Sequence, residues 1–243
     1  DLNGDIFAVE LGGALKKITV SSGAVATVVA AGTFSSPRGV AVLVAGSIVV
    51  SDTGNHAIQL VDPNTFAVTL LAGIVGTAGG NDGAIGVGTL NSPYHVAQGG
   101  GDVLVVADRG NHAVRTIDGN GRLVRLYGVP AGSWASDFPG WEDGSSAVAE
   151  SRLPAGVAVD GAGDVFVAEQ YYHLIRKASN TGLSGPSGGG SSGGTSVNPP
   201  TLSILPSAGY FPLGQTITVT SSSTNVYYRT DGTAATTNDV LIS

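Results

Sequence analysis

Hydrophobic and polar positions in this chain come in short bursts. Gly39-Val40-Ala41-Val42 is a run of small apolar residues, and after a Gly-containing turn Ile48-Val49-Val50 is continuously apolar. Beyond Asp52-Thr53-Gly54-Asn55, the segment Ala57-Ile58-Gln59-Leu60-Val61 alternates, and Ala67-Val68-Thr69-Leu70-Leu71 closes the series. Runs this short, bounded by Gly, Asn, Asp and Pro, have strand length and fall short of a helix. The pattern predicts four antiparallel strands joined by tight turns.

The same grammar recurs along the chain. "SSPRGVAVLVAGSIVVSDTGNHAIQLVD", "NSPYHVAQGGGDVLVVADRGNHAVRTID" and "RLPAGVAVDGAGDVFVAEQYYHLIRKAS" share one register, anchored by Pro37, Pro93 and Pro154 at spacings of 56 and 61 residues. A fourth, incomplete copy opens the chain as "NGDIFAVELGGALKKITVSSGAVATVVAAG". A lone four-stranded sheet leaves its faces uncovered, so repeated sheets must stack on one another. Radial stacking of such sheets is a β-propeller. The Gly, Ala and Val of each first strand suit the crowding near a central axis.

The motifs "P-x-G-V-A-V", "V-V-S-D-T-G-N-H-A-I" and "F-V-A-E-Q-Y-Y-H-L-I-R" resemble the NHL-repeat family of β-propellers, over roughly residues 1–180. The resemblance implies an all-β fold whose closed form commonly has six blades. The sequence holds about four: one lacking its first strand, two complete, and one lacking its last. The chain is therefore expected to be the back part of a longer propeller, whose front would supply about two blades and the closing strand.

Residues 181–200, "TGLSGPSGGGSSGGTSVNPP", are Gly/Ser-rich and end in Pro-Pro, the composition of a flexible linker that stiffens toward its end. Residues 201–243 change character again. "QTITVTS" and "NVYYRTD" alternate as strands do, and Asp231-Gly232 signals a turn. "ILPSAGYFPLGQTITVTS" and "VYYRTDGTAATT" resemble the immunoglobulin-like module found at the C-terminus of chitobiase and β-hexosaminidase. That resemblance implies a partial accessory β-sandwich, cut at its C-terminal side, and no catalytic centre.

Charge and cysteine content narrow the partners. The net charge is −7 with eleven scattered Lys and Arg, which argues against nucleic acid, since a polyanion needs a concentrated basic face. No stretch approaches the ~18 apolar residues of a membrane span. With no Cys in the chain, disulfides and thiolate metal sites are excluded.

The repeated Asp-x-Gly-Asn-His of Asp52–His56 and Asp108–His112 offers chemistry-bearing side chains. Asp52 and Asp108 can accept backbone N–H bonds of the turn that follows, Gly54 and Gly110 can take positive φ, and Asn55 and Asn111 tolerate the left-handed conformation. His56, His112 and His173 recur at one position per blade, outside the axis, where they do not converge on a shared metal. The alternating acids Asp1, Asn3, Asp5 and Asp160, Asp164 fall between first and second strands, where they read as turn formers and not as a calcium loop.

His95 differs from these. With Tyr94 it replaces the small residues of the innermost strand, near the channel mouth. Some NHL-like lyases bind zinc there through several histidines, and the resemblance makes His95 the one metal-ligand candidate. A catalytic zinc needs about three protein ligands, so no metal and no cofactor is expected from these residues. Trp134, Phe138 and Trp141 lie in "YGVPAGSWASDFPGWEDGSSAVAE" among Asp137, Glu142 and Asp143. Aromatics beside carboxylates suit sugar stacking or a protein anchor.

The reading is therefore a non-catalytic extracellular or cell-surface scaffold. Tyr94, His95, Trp134, Phe138 and Trp141 are its candidate contacts to glycans or other protein subunits, within an oligomer, filament or wall. The alternative is a metal-dependent lyase or hydrolase with its channel ligands on further blades.

Overall fold

The computed structural model describes residues 1, 3–128, 142–179 and 181–183, and the backbone of four short strands farther on. Trp134, Phe138 and Trp141 lie outside the described residues. The chain divides into two compact units, Asp1–Gly189 and Gly190–Ser243.

The first unit is built from four antiparallel sheets in chain order. The first blade has three strands, β1 (Ile6–Val9), β2 (Leu15–Thr19) and β3 (Ala24–Val29), hydrogen-bonded in that order. The second blade has four: β4 (Gly39–Val42), β5 (Ile48–Asp52), β6 (Ala57–Val61) and β7 (Val68–Gly73). The third repeats it with β8 (Pro93–Gln98), β9 (Leu104–Asp108), β10 (Ala113–Ile117) and β11 (Leu123–Gly128). The fourth has β12 (Pro154–Val159), β13 (Val165–Glu169) and β14 (Leu174–Ala178). Among the described residues the only helical elements are single 3₁₀ turns at Thr53–Asn55 and Arg109–Asn111.

Alternation along the second strands explains why the blades stack. On β5, Ile48 and Val50 enter a core with Leu15, Val29 and Phe34 of the blade before. Val49, facing the other way, joins Val96, Leu104 and Val106 of the blade after. On β9, Leu104 and Val106 look back, while Val105 and Ala107 look forward to Val157, Val165 and Val167. A strand covered on both faces reads as a nearly continuous apolar run, as Ile48–Val50 and Leu104–Ala107 do, and every residue of β5 and β9 is buried, the terminal acids included. The fourth blade is covered on one face among the described residues, so β13 and β14 alternate and Ile175 is 68% exposed.

Crowding of the inner strands is direct. A Cβ on Gly39 would lie 2.9 Å from the His95 Cα and 2.9 Å from the Tyr94 carbonyl oxygen. Gly39 is required by the approach of β8 to β4, as the small residues of the first strands implied.

In the second unit, β15 (Leu202–Leu205) pairs antiparallel with β16 (Thr218–Ser221), and β17 (Val226–Tyr228) with β18 (Val240–Ile242). No β-sandwich is shown among the described residues.

Candidate functional site

In the second, third and fourth blades the second strand ends on a buried acid, and these three acids have one structural job. Asp52 is fully buried; its Oδ1 accepts the Ser35 N–H at 2.7 Å and its Oδ2 accepts from the Asn55 amide at 2.9 Å. Asp108, also fully buried, repeats this with the Asn91 N–H at 2.8 Å and Asn111 at 2.7 Å. Glu169 accepts from the Ser151 hydroxyl and the Arg152 N–H, each at 2.7 Å. The backbone N–H that each acid binds therefore belongs to the loop that leads into its own blade. The following turn is held through the Asn55 and Asn111 side chains and not through its backbone N–H groups, as the sequence had implied. Burial pushes Asp108 up to about 6, against the pull of Arg115, Asn111 and the Asn91 N–H. Burial likewise raises Glu169.

A second side chain answers each acid from the third strand. These are Gln59 at 3.4 Å from Asp52, Arg115 at 3.0 Å from Asp108, and Arg176 at 4.0 Å from Glu169; in the first blade Lys16 lies 3.7 Å from Glu10. In the first three blades this residue lies at a register shift between third and fourth strands, the irregularity that re-aims a side chain. Where the donor is arginine, it also reaches out to the leading loop. Arg115 binds the Asp82 carboxylate at 2.7 Å and the Asn81 carbonyl at 3.0 Å. Arg176 binds Asp143 and the carbonyls of Glu142 and Glu150. The Asp-Gly shared by the two long loops, Asp82-Gly83 and Asp143-Gly144, thus has a purpose that the sequence reading missed. Its signal was a basic residue seven positions after the acid.

The histidines are seam residues. His56, His112 and His173 have φ of 55°, 50° and 55°, so the left-handed residue of the turn is the histidine, and not the Gly or Asn expected. His56 Nδ1 accepts the Ser92 N–H at 3.0 Å, and His112 Nδ1 accepts the Leu153 N–H at 3.1 Å. Each bond crosses to the following blade. An accepting Nδ1 places the proton of a neutral ring on Nε2. Ser92 and Leu153, both at φ 50°, precede prolines, where sterics favour extended backbone. The histidine bond helps to hold that strained residue. Gly54 and Gly110 owe their identity to contact: a Cβ would stand 2.4 Å from the Ser35 hydroxyl and 2.6 Å from Asn91 Cγ, respectively.

His95 is also bound to the backbone of a neighbouring blade. Its Nδ1 lies 3.1 Å from the Val157 carbonyl and 3.4 Å from the Val157 N–H, which joins the inner strands of the third and fourth blades. Burial lowers its pKa despite the Val157 carbonyl. Among the described residues no group of three or more His, Asp or Glu could hold a metal ion. A metal on His95 would have to take Nε2. Asp1 and Asp160 accept backbone N–H groups of their own turns, Asn3 and Asp5 for the first, Ala162 and Asp164 for the second.

Tyr94 occupies the register shift between Pro93 and His95 in β8. The Arg38 guanidinium lies 5.2 Å from its ring centroid and that of Arg109 4.9 Å. Arg109 Nε and one terminal nitrogen both donate to the Gln170 amide oxygen, at 3.1 and 2.9 Å. Nearby, Arg152 stacks 3.4 Å from the Tyr171 ring centroid and donates to the Tyr172 hydroxyl at 3.3 Å. Apart from Tyr94, this cluster was not foreseen. Its signal lay in two columns of the repeat: the residue after each proline (Arg38, Tyr94) and the residue after each acid (Arg109, Gln170).

Residues 34–59 match the NHL repeat. NHL repeat-containing protein 2 of Homo sapiens is 35% identical over 81 residues, which are 33% of this chain and 11% of that protein. Protein SUPPRESSOR OF QUENCHING 1, chloroplastic, of Arabidopsis thaliana is 39% identical over 84 residues, 35% of this chain and 8% of that protein. The aligned segments are therefore a small part of those relatives. Two crystal structures of auxiliary nutrient binding proteins, from Bacteroides thetaiotaomicron and Bacteroides ovatus, superpose with TM-scores of 0.60 and 0.61 at 17% and 19% identity. Each match covers 72% of this chain and 45% of the other. The likeness concerns the fold, which is all-β and of NHL β-propeller type.

Proposed function

We propose that the chain is a non-catalytic binding module of an extracellular or cell-surface scaffold. Its blade array is a rigid platform for glycan or protein, and its second unit is an accessory immunoglobulin-like module. The carrying observation is how the chemistry-bearing residues are used. Asp52, Asp108, Glu169, His56, His112 and His95 each bind backbone of a leading loop or a neighbouring blade. Residues committed in this way to holding blades together are poorly placed for proton transfer to a substrate. Arginine and tyrosine side chains, in contrast, are presented at the seam of the second, third and fourth blades. Exposed loops and rims on a rigid scaffold are where binding residues concentrate.

The test is to incubate the full chain with arrayed glycans, and to follow both retention and product release after metal analysis of the protein. Saturable retention with the ligand recovered intact is expected. Turnover of a retained ligand, dependent on a stoichiometric metal, would instead establish the lyase or hydrolase.

A further inference from the structure

Arg38, Tyr94, Arg109 and Gln170 come from three successive blades and meet at one end of their inner strands. Each element has a reason to be there. Arg38 follows Pro37 at the start of β4, Tyr94 sits at the bulge of β8, and Arg109 and Gln170 each follow the buried acid of a second strand. Two guanidiniums against one phenol ring gain cation–π attraction but repel each other.

Five other cations are answered by carboxylates: Lys16 by Glu10, Lys17 by Asp5, Arg115 by Asp108, Arg176 by Asp143 and Lys177 by Asp164. Arg38 and Arg109 have no carboxylate within ion-pair distance among the described residues. In a chain of net charge −7 this is an uncompensated positive spot. The partner that fixes Arg109 is the neutral oxygen of Gln170, which orients the guanidinium without cancelling its charge. Arg152, stacked on Tyr171, adds a third cation near Arg109, since both act on His112. The field of Arg152 and Arg109 also helps to hold His112 below its ordinary value, after burial.

We infer that this group of arginines binds the carboxylates of an acidic oligosaccharide, a uronate chain. The inference rests on the binding-module reading above and names the ligand class. Guanidinium forks match carboxylate geometry and bind it more strongly than neutral donors do. The tyrosines favour a sugar over an acidic peptide, since Tyr171, 49% exposed, offers ring surface for sugar C–H faces and Tyr172 a hydroxyl. Binding is driven by charge on a partly exposed surface, so it weakens as salt rises.

The experiment is calorimetric titration of the full chain with a short oligogalacturonate, at low and high salt, beside a neutral oligogalactose and a poly-glutamate peptide. Saturable, salt-sensitive binding of the uronate alone is expected. Arg109→Gln should weaken it about tenfold. Gln170→Glu, which keeps the hydrogen bonds but neutralises Arg109, should weaken it severalfold with the melting temperature unchanged. Uronate binding that is unchanged in the Arg38→Gln/Arg109→Gln double variant overturns the inference, as does equal binding of poly-glutamate. Retention of neutral glycans or of a protein, independent of both arginines, overturns it while leaving the binding-module reading intact. A chain that retains no arrayed glycan or surface protein removes both.

Discussion

The second and third blades bury the same carboxylate in the same place and compensate it differently. Asp52 is answered by Gln59, a neutral amide at 3.4 Å. Asp108 is answered by Arg115, a cation at 3.0 Å that is itself 1% exposed and extends to Asp82 at 2.7 Å. In the second blade local hydrogen bonds suffice, from Ser35, Asn55 and Gln59. In the third a charge is buried with a charge, and the pair recruits the long leading loop between β7 and β8. One repeat position thus decides whether a blade merely closes on itself or also fixes the loop that precedes it. The fourth blade, with Arg176 on Asp143 and Glu169, sides with the third.

This contrast can be broken most severely at Arg115. Arg115→Ala leaves Asp108 buried without its cation and should cost about 3–5 kcal/mol in urea unfolding, whereas Gln59→Ala should cost under ~1 kcal/mol. Equal losses would remove the distinction between the blades. Asp52→Ala comes next. It strips the Ser35 N–H and the Asn55 amide of their acceptor and should cost about 1–3 kcal/mol, read in the same titration.

A smaller effect, about 1 kcal/mol, is expected for His56→Ala. Its signature is local: amide exchange at Ser92 should accelerate while exchange at Leu153, held by His112, does not. Simultaneous acceleration at both would show that the seams do not act separately.

The smallest effect is a pH dependence. Burial, then Arg152 and Arg109, lower the His112 pKa from 6.5 in the folded state. Its contribution to stability is therefore complete above pH 6.5 and is lost as the pH falls through the lowered value. Asp108, raised from 3.8 to about 6, acts oppositely: its contribution is complete below 3.8 and is lost as the pH rises to about 6. Subtracting the stability curve of His112→Gln from that of the wild type isolates the histidine. A difference that does not shrink on acidification from pH 7 to 5 would contradict the assignment.

Strand positions were legible because burial on two faces leaves a clear mark. Gly39–Val42 and Ala57–Val61 were read at their observed bounds, and the continuous apolar run at Ile48–Val50 reflects cores on both sides of β5. The histidine turn was recognised as structural from its recurrence. Its geometry was not legible, because the left-handed residue is chosen by a bond to another blade and not by local preference. Asn55 and Asn111 are locally the better left-handed residues, yet His56 and His112 take that conformation. The arginine cluster escaped for the same reason: Arg38, Arg109 and Gln170 are far apart in sequence, and only stacking of the blades brings them to Tyr94. For Trp134, Phe138 and Trp141 the expectation of glycan or protein contact stands as a proposal.

The histidine latch has a consequence for how such a chain can change over generations. Both halves of the fastening belong to every complete repeat: the N–H of the residue before the proline at the start of the unit, and the histidine ring between its second and third strands. Duplicating or deleting a whole unit would therefore create a junction chemically equivalent to those already present. A cut made anywhere inside a unit would leave one half of a fastening without its mate. The repeat boundary at the proline is in this sense a seam for recombination, and arrays with different numbers of units are accessible to this sequence without inventing a new contact.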